Sequence, residues 1–180
     1  MLTIIIPSLE FYDERKEEFI YTDEHKLVLE HSLVSISKWE SRWHKPFLSK
    51  SRKTTEETID YVKCMTITQN VPDEVYERLT NQNINEINKY IEDGMTATVF
   101  SGKGSTSGSS EFITSELIYF WMVSFNIPSE YQKWHLNRLL TLIRICEEKN
   151  KPEKKMSRSE IANRNKALNE MRKKQLNSKG

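Results

Sequence analysis

The sequence predicts an α+β protein dominated by helices, with a small N-terminal antiparallel β-sheet packed on a helical core and a basic C-terminal helix. Three observations carry this. Strand-like runs of β-branched and aromatic residues cluster in residues 1–31. From residue 32 to residue 148 apolar residues recur at three- and four-residue spacing. Residues 149–180 then turn polar and strongly basic.

Within the β element, LTIIIPS (Leu2–Ser8), FIYT (Phe19–Thr22) and KLVLEHS (Lys26–Ser32) read as short strands, and the polar EFYDERKEE between the first two reads as a turn-rich connection. Two or three strands are not stable alone, so this sheet must lean on the helices. SLVSISKWESRW (Ser32–Trp43) has Leu33, Ile36, Trp39, Glu40 and Trp43 at helical spacing and stops before His44-Lys45-Pro46. TTEETIDYVKCMTIT (Thr54–Thr68) opens with a threonine and two glutamates, a capped helix start, and puts Ile59, Val62 and Met65 on one side. Two short helices follow, over Pro72–Thr80 and Ile84–Asp93, separated by an Asn81-Gln82-Asn83 turn. ITSELIYFWMVSFNI (Ile113–Ile127) is apolar nearly all round and reads as a central buried helix ended by Pro128. A second strong helix runs from Pro128 to about residue 148, with a stripe of Leu136, Leu139, Ile143 and Cys146. The last, Ser157–Leu176, has a capping box at Ser157 and Glu160 and a thin stripe of Ile161, Leu168 and Met171.

The net charge of +1 conceals an asymmetry. Residues 151–180 hold ten Lys or Arg against three Glu, which leaves 17 basic and 23 acidic residues in 1–150. An acidic body with a basic tail points to an electrostatically driven partner for the tail, or docking on the body itself. The tail fits a solvated helix, a phosphate contact or a docking segment. No aromatic follows Trp134 to stack on single-stranded bases, so protein docking ranks above nucleic acid. No window reaches the ~18 consecutive apolar residues of a membrane span, and a soluble intracellular protein is expected. Cys64 and Cys146 lack CxxC partners and read as two buried free thiols.

Reactive chemistry is not evident. The loop SGKGSTSGSS (Ser101–Ser110) lies between the strand-like Thr96–Phe100 and an apolar helix, where phosphate loops occur. A Walker loop would need glycine at Ala97 and a hydroxyl residue at Gly104, and Gly102, Gly104 and Gly108 lack the βαβ unit of a dinucleotide site. The loop reads as a flexible connector. His25, His31, His44 and His135 have no second ligand at metal spacing, and no GxSxG elbow occurs. Glu56/Glu57 and Asp73/Glu74 sit at helix N-termini, where the helix dipole accounts for them. No enzyme, metal or cofactor is expected. Trp39, Trp43, Tyr119, Trp121 and Trp134 fit either core or a recognition patch, and Trp134, His135, Asn137 and Arg138 within one turn combine residue types typical of interface hot spots.

The runs LEHSLVSISKWESRWHKPFL, KTTEETIDYVKCMT, ELIYFWMVSFNIPSEYQKWHLNRLLTLIRIC and KKMSRSEIANRNKALNEMRKKQLNSKG together resemble tail assembly chaperones of long-tailed bacteriophages, over most of the chain from Leu29 onward. The resemblance implies a non-enzymatic factor of the host bacterial cytoplasm, absent from the mature virion. Such a factor coats the tape measure protein, recruits tail tube protein and often self-associates, and a longer frameshifted product often accompanies it. The residues expected to contribute to partner binding, from the aromatic and Arg clustering and the basic tail, are Trp121, Trp134, His135 and Arg138 on the body, and Arg164, Arg172 and Lys173 on the tail. The rival readings are a structural component of the phage tail or neck and a small nucleic-acid-binding regulator that uses the basic tail.

Overall fold

A computed structural model describes residues 1–13, 15, 17–98, 113–151 and 157–177. The expected connector Ser101–Ser110 therefore lies outside the described residues, as do Val99 and Phe100; Thr96–Thr98 form no strand. The chain divides into two units, Met1–Cys146 and Glu147–Gly180.

The first unit begins with a long β-hairpin. Strands β1 (Leu2–Ile6) and β4 (His25–Leu29) pair antiparallel, as do β2 (Leu9–Asp13) and β3 (Glu18–Thr22). One register runs through both ladders: Leu2 faces Leu29, Ile6 faces His25, and Leu9 faces Thr22. The break falls at Pro7, which has no N–H to give to a ladder. β2 corrects the sequence reading, in which this segment was a polar turn-rich connection. Its five residues pair one for one with β3, from Leu9 opposite Thr22 to Asp13 opposite Glu18, and that pairing organises a segment whose composition alone is polar.

β1 and β4 turn Ile4, Ile6, Leu27 and Leu29 into the core. Their outer edges are both engaged. On one side the Asn83 amide donates to the Ile5 carbonyl at 3.2 Å. On the other, Thr66–Thr68 lie alongside β4, with Ile67 N–H on the Val28 carbonyl at 2.8 Å and Glu30 N–H on the Met65 carbonyl at 2.9 Å. This contact ends helix α2 (Thr55–Met65) three residues before the sequence pattern does.

Helix α1 (Leu33–Trp43) is central and packs against α2, against α5 (Ser115–Ser124) and against a 3-10 helix at Ser129–Lys133. Its capping box is Ser32 with Ser35, and His44 closes it in the left-handed conformation at φ 51°. The Trp39 indole donates to the Glu57 carbonyl at 2.8 Å and the Trp43 indole to Asp60 at 2.9 Å, so the two tryptophans clasp α2. α3 (Asp73–Glu77) leads to α4 (Asn81–Glu92), which starts at the expected Asn81–Asn83 turn because Thr80 and Asn83 form a capping box there. The helix expected from Pro128 is split. After the 3-10 turn the backbone extends at Trp134–His135, where Leu136 N–H donates to the His31 carbonyl at 2.7 Å, and α6 (Leu136–Asn150) starts only then.

Glu40 ties these pieces together. Only 7% exposed, its carboxylate accepts the Phe47 N–H and the Ser115 N–H, both at 2.7 Å. Cys64 is buried, with its thiol pushed up to about 11 by burial and then by the Asp60 carboxylate. Cys146 is only half-buried, against the expectation of two buried thiols.

The second unit contains α7 (Arg158–Gln175), capped by Ser157 and Glu160 as the sequence predicts, with Arg172, Lys173 and Lys174 in its last turn, where the helix dipole favours cations.

Two outcomes follow for stability. Glu40→Ala leaves two buried backbone N–H groups without acceptors, which costs roughly 2–5 kcal/mol of unfolding free energy in urea titrations. The second concerns His31, buried to 2% and hydrogen-bonded through Nδ1 to the Tyr61 hydroxyl. Burial, and then the neighbouring His135, lower its pKa from 6.5 to about 3. The unfolded chain thus takes up a proton that the folded chain refuses. Stability is complete above pH 6.5 and falls as pH drops from there toward 3, by about 2 kcal/mol between pH 7 and pH 5. His31→Gln, which still offers Tyr61 an acceptor, removes this contribution to the slope.

Candidate partner-binding surface

Helix α5 is seated at one end and open along its length. Thr114 caps it through Leu117 N–H, and the Ser115 N–H is held by Glu40. Ile118 and Met122, one turn apart, enter the core beside α1. On the opposite arc Phe120 and Val123 stand 63% and 76% exposed. The sequence reading of α5 as a central buried helix is therefore corrected: it is a peripheral helix whose outer face is apolar. Its apolar composition all round concealed which side faces inward. The helix ends at Phe125, where Asn126 adopts φ 53° and the Ile127 N–H returns to the Met122 carbonyl at 2.8 Å.

The 3-10 helix adjoins it. The Tyr119 hydroxyl donates to Gln132 Oε1 at 3.0 Å. Tyr131 and Trp134 stack with ring centroids 4.0 Å apart and planes at 15°, and the Arg138 guanidinium lies 4.1 Å from the Trp134 ring centroid. This brings two of the expected residues together: Trp134, half-buried, and Arg138, exposed, form a planar aromatic–cation assembly of the type enriched in hot spots. Trp121 is half-buried against the core from α5.

His135 does not join them. Only 6% exposed, it points inward, donating from Nε2 to the Tyr90 carbonyl at 3.0 Å, with its ring 5.1 Å from His31 and 4.9 Å from Tyr90. Its Nδ1 has no hydrogen-bond partner. The expected surface role is corrected on that ground: the extended backbone at Trp134–His135 sends consecutive side chains to opposite sides. Asn137 is also structural, its amide capping the end of α4 at the Ile91 and Asp93 carbonyls, 2.9 and 2.8 Å away. Arg164, Arg172 and Lys173 lie on α7 in the other unit and are exposed.

Phe120 and Val123, exposed, and Tyr131, half-buried against the core, are residues that sequence reasoning did not single out. The signal was present as three-residue spacing, Phe120 to Val123 and Tyr131 to Trp134, but equally so in core stripes. Among the described residues no group of His, Cys, Asp and Glu is placed to hold a metal ion, and no helix is long and apolar enough to cross a membrane. Comparison of the chain with protein-family models, curated proteins and solved structures yields no match.

The two faces of α5 should separate in mutagenesis. Phe120→Ser combined with Val123→Ser leaves the urea-unfolding free energy within about 1 kcal/mol of wild type, as surface substitutions do. Ile118→Ala lowers it by roughly 2–4 kcal/mol through an unfilled core cavity.

Proposed function

We propose that the chain is a non-enzymatic protein-binding factor, specifically a tail assembly chaperone that keeps a phage tape measure protein soluble in the host bacterial cytoplasm while tail tube protein assembles around it. The observation that carries this reading is the outward apolar face of α5, Phe120 and Val123, on a helix whose other side is anchored in the core. An elongated helical client offers amphipathic helices, and a fixed apolar helix face is the complement to such a segment. The Tyr131–Trp134–Arg138 assembly adds rigid aromatic contact area that loses little rotamer freedom on binding. The resemblance of the sequence to tail assembly chaperones supplies the identity of the client.

The test is co-expression with the tape measure protein of the same genome, scoring soluble client and co-purification. The client becomes soluble only with this chain present, and the Phe120→Ser, Val123→Ser double variant, still folded, loses most of that effect. Unchanged client solubility with nothing co-purified overturns the reading. Detection of the chain in purified particles points instead to a structural component of the tail or neck.

A further inference from the structure

The arm formed by β2 and β3 is a second surface, separate from α5, that the proposed function leaves unused. Glu10 faces Tyr21 and Tyr12 faces Phe19 across the ladder, so these four side chains share one face. The Tyr12 and Phe19 rings are 5.1 Å apart, and Tyr12, Phe19 and Tyr21 are 50%, 57% and 70% exposed. Among the described residues no strand pairs with the outer edge of β2 or of β3, although the body end of the same hairpin has both outer edges engaged. The base of the arm is fixed. Arg78, which follows α3, donates from Nη1 to the Thr22 hydroxyl at 2.6 Å and to the Pro7 and Asp23 carbonyls at 3.3 Å each, bracing the hairpin where its ladder breaks. The molecule thus holds out an aromatic ribbon with an open edge in a set position.

Charge identifies what fits it. Residues 9–24 contain seven acidic residues (Glu10, Asp13, Glu14, Glu17, Glu18, Asp23, Glu24) against two basic ones (Arg15, Lys16), a net five negative charges. That is nearly all of the acidic excess of residues 1–150, which hold 23 acidic against 17 basic. Two such arms meeting edge to edge would set like charges against each other, which disfavours a second copy as the occupant.

We infer that the outer edge of β3 is a strand-addition site for an extended segment of a protein partner in which Lys or Arg alternates with apolar residues. Backbone hydrogen bonds along the edge provide affinity, and the two-residue period provides specificity. One face of the added strand sets apolar side chains beside Phe19 and Tyr21; the other sets its cations beside Glu18. The site does not depend on Phe120 or Val123, so it stands or falls separately from the α5 surface.

The experiment titrates the full chain into a fluorescein-labelled peptide alternating lysine and valine, read by anisotropy. Saturable binding is expected, weakened roughly ten-fold by Tyr21→Ala and by Glu18→Lys, each checked for an unchanged circular dichroism spectrum. The same peptide N-methylated along one edge, which removes its ladder donors, should not bind. The inference is overturned if the unmodified peptide fails to bind, if an alternating glutamate–valine peptide binds as well, or if N-methylation makes no difference. It is also overturned in favour of a second copy if the chain dimerises in sedimentation equilibrium and Tyr21→Ala abolishes the dimer. Aggregation of the charge-reversed variant, with no peptide binding by wild type, would assign the acidic residues to guarding the edge and nothing more.

Discussion

The carboxylate of Glu40 is the contact on which the rest of the first unit depends. It accepts backbone N–H groups from Phe47, seven residues away, and from Ser115, 75 residues away. A buried carboxylate is tolerable only when its oxygens are occupied, and a buried helix start only when its N–H groups are. One side chain meets both needs. The Phe47 bond also places that ring among Trp39, Tyr61 and His31, with centroid distances of 5.1, 4.0 and 6.4 Å. The Ser115 bond fixes α5 against α1, so the direction of the apolar outer face descends from Glu40.

The junction between β4 and α1 is a second polar seam inside an apolar core. Tyr90 donates to Glu30 at 2.6 Å, the Ser35 hydroxyl donates to the Glu30 carbonyl at 2.9 Å, and His31 meets Tyr61. Burial, and then the Glu30 hydrogen bond, push the Tyr90 phenol up, so it stays a donor. This satisfied network specifies how strand, helix and α6 meet more narrowly than apolar packing would. The exception is His135 Nδ1, an acceptor without a partner beside a second buried histidine. With His31 held neutral by burial, the seam combines rigidity at neutral pH with sensitivity to acid.

Surface and core use the same residue types, which explains what could be read of the candidate site. Four positions within five residues, Trp134, His135, Asn137 and Arg138, read as one patch in sequence. Two form a stack at the surface, one is buried and one caps α4. The deciding event is the bridge between Ser32 and His135, which interrupts the helical repeat, and that bridge joins segments about a hundred residues apart. Likewise β2 appears only because β3 pairs with it, since its composition alone is that of a polar connection.

The sequence by itself determined what is local: the α+β class, the capped starts of α2 and α7, the end of α1 before Pro46, and the segregation of acidic body from basic tail. Caps, helical stripes and charge runs are set by residues within a turn or two of one another, so they can be read without knowing the fold. Only the tertiary structure decided which side of the apolar helix α5 faces outward, where the helix after Pro128 breaks, and that the hairpin extends beyond the body as an aromatic arm. Those outcomes depend on hydrogen-bond partners distant in sequence, Glu40 to Ser115, His31 to Leu136 and Arg78 to Thr22, and no short-range pattern encodes a partner that far away.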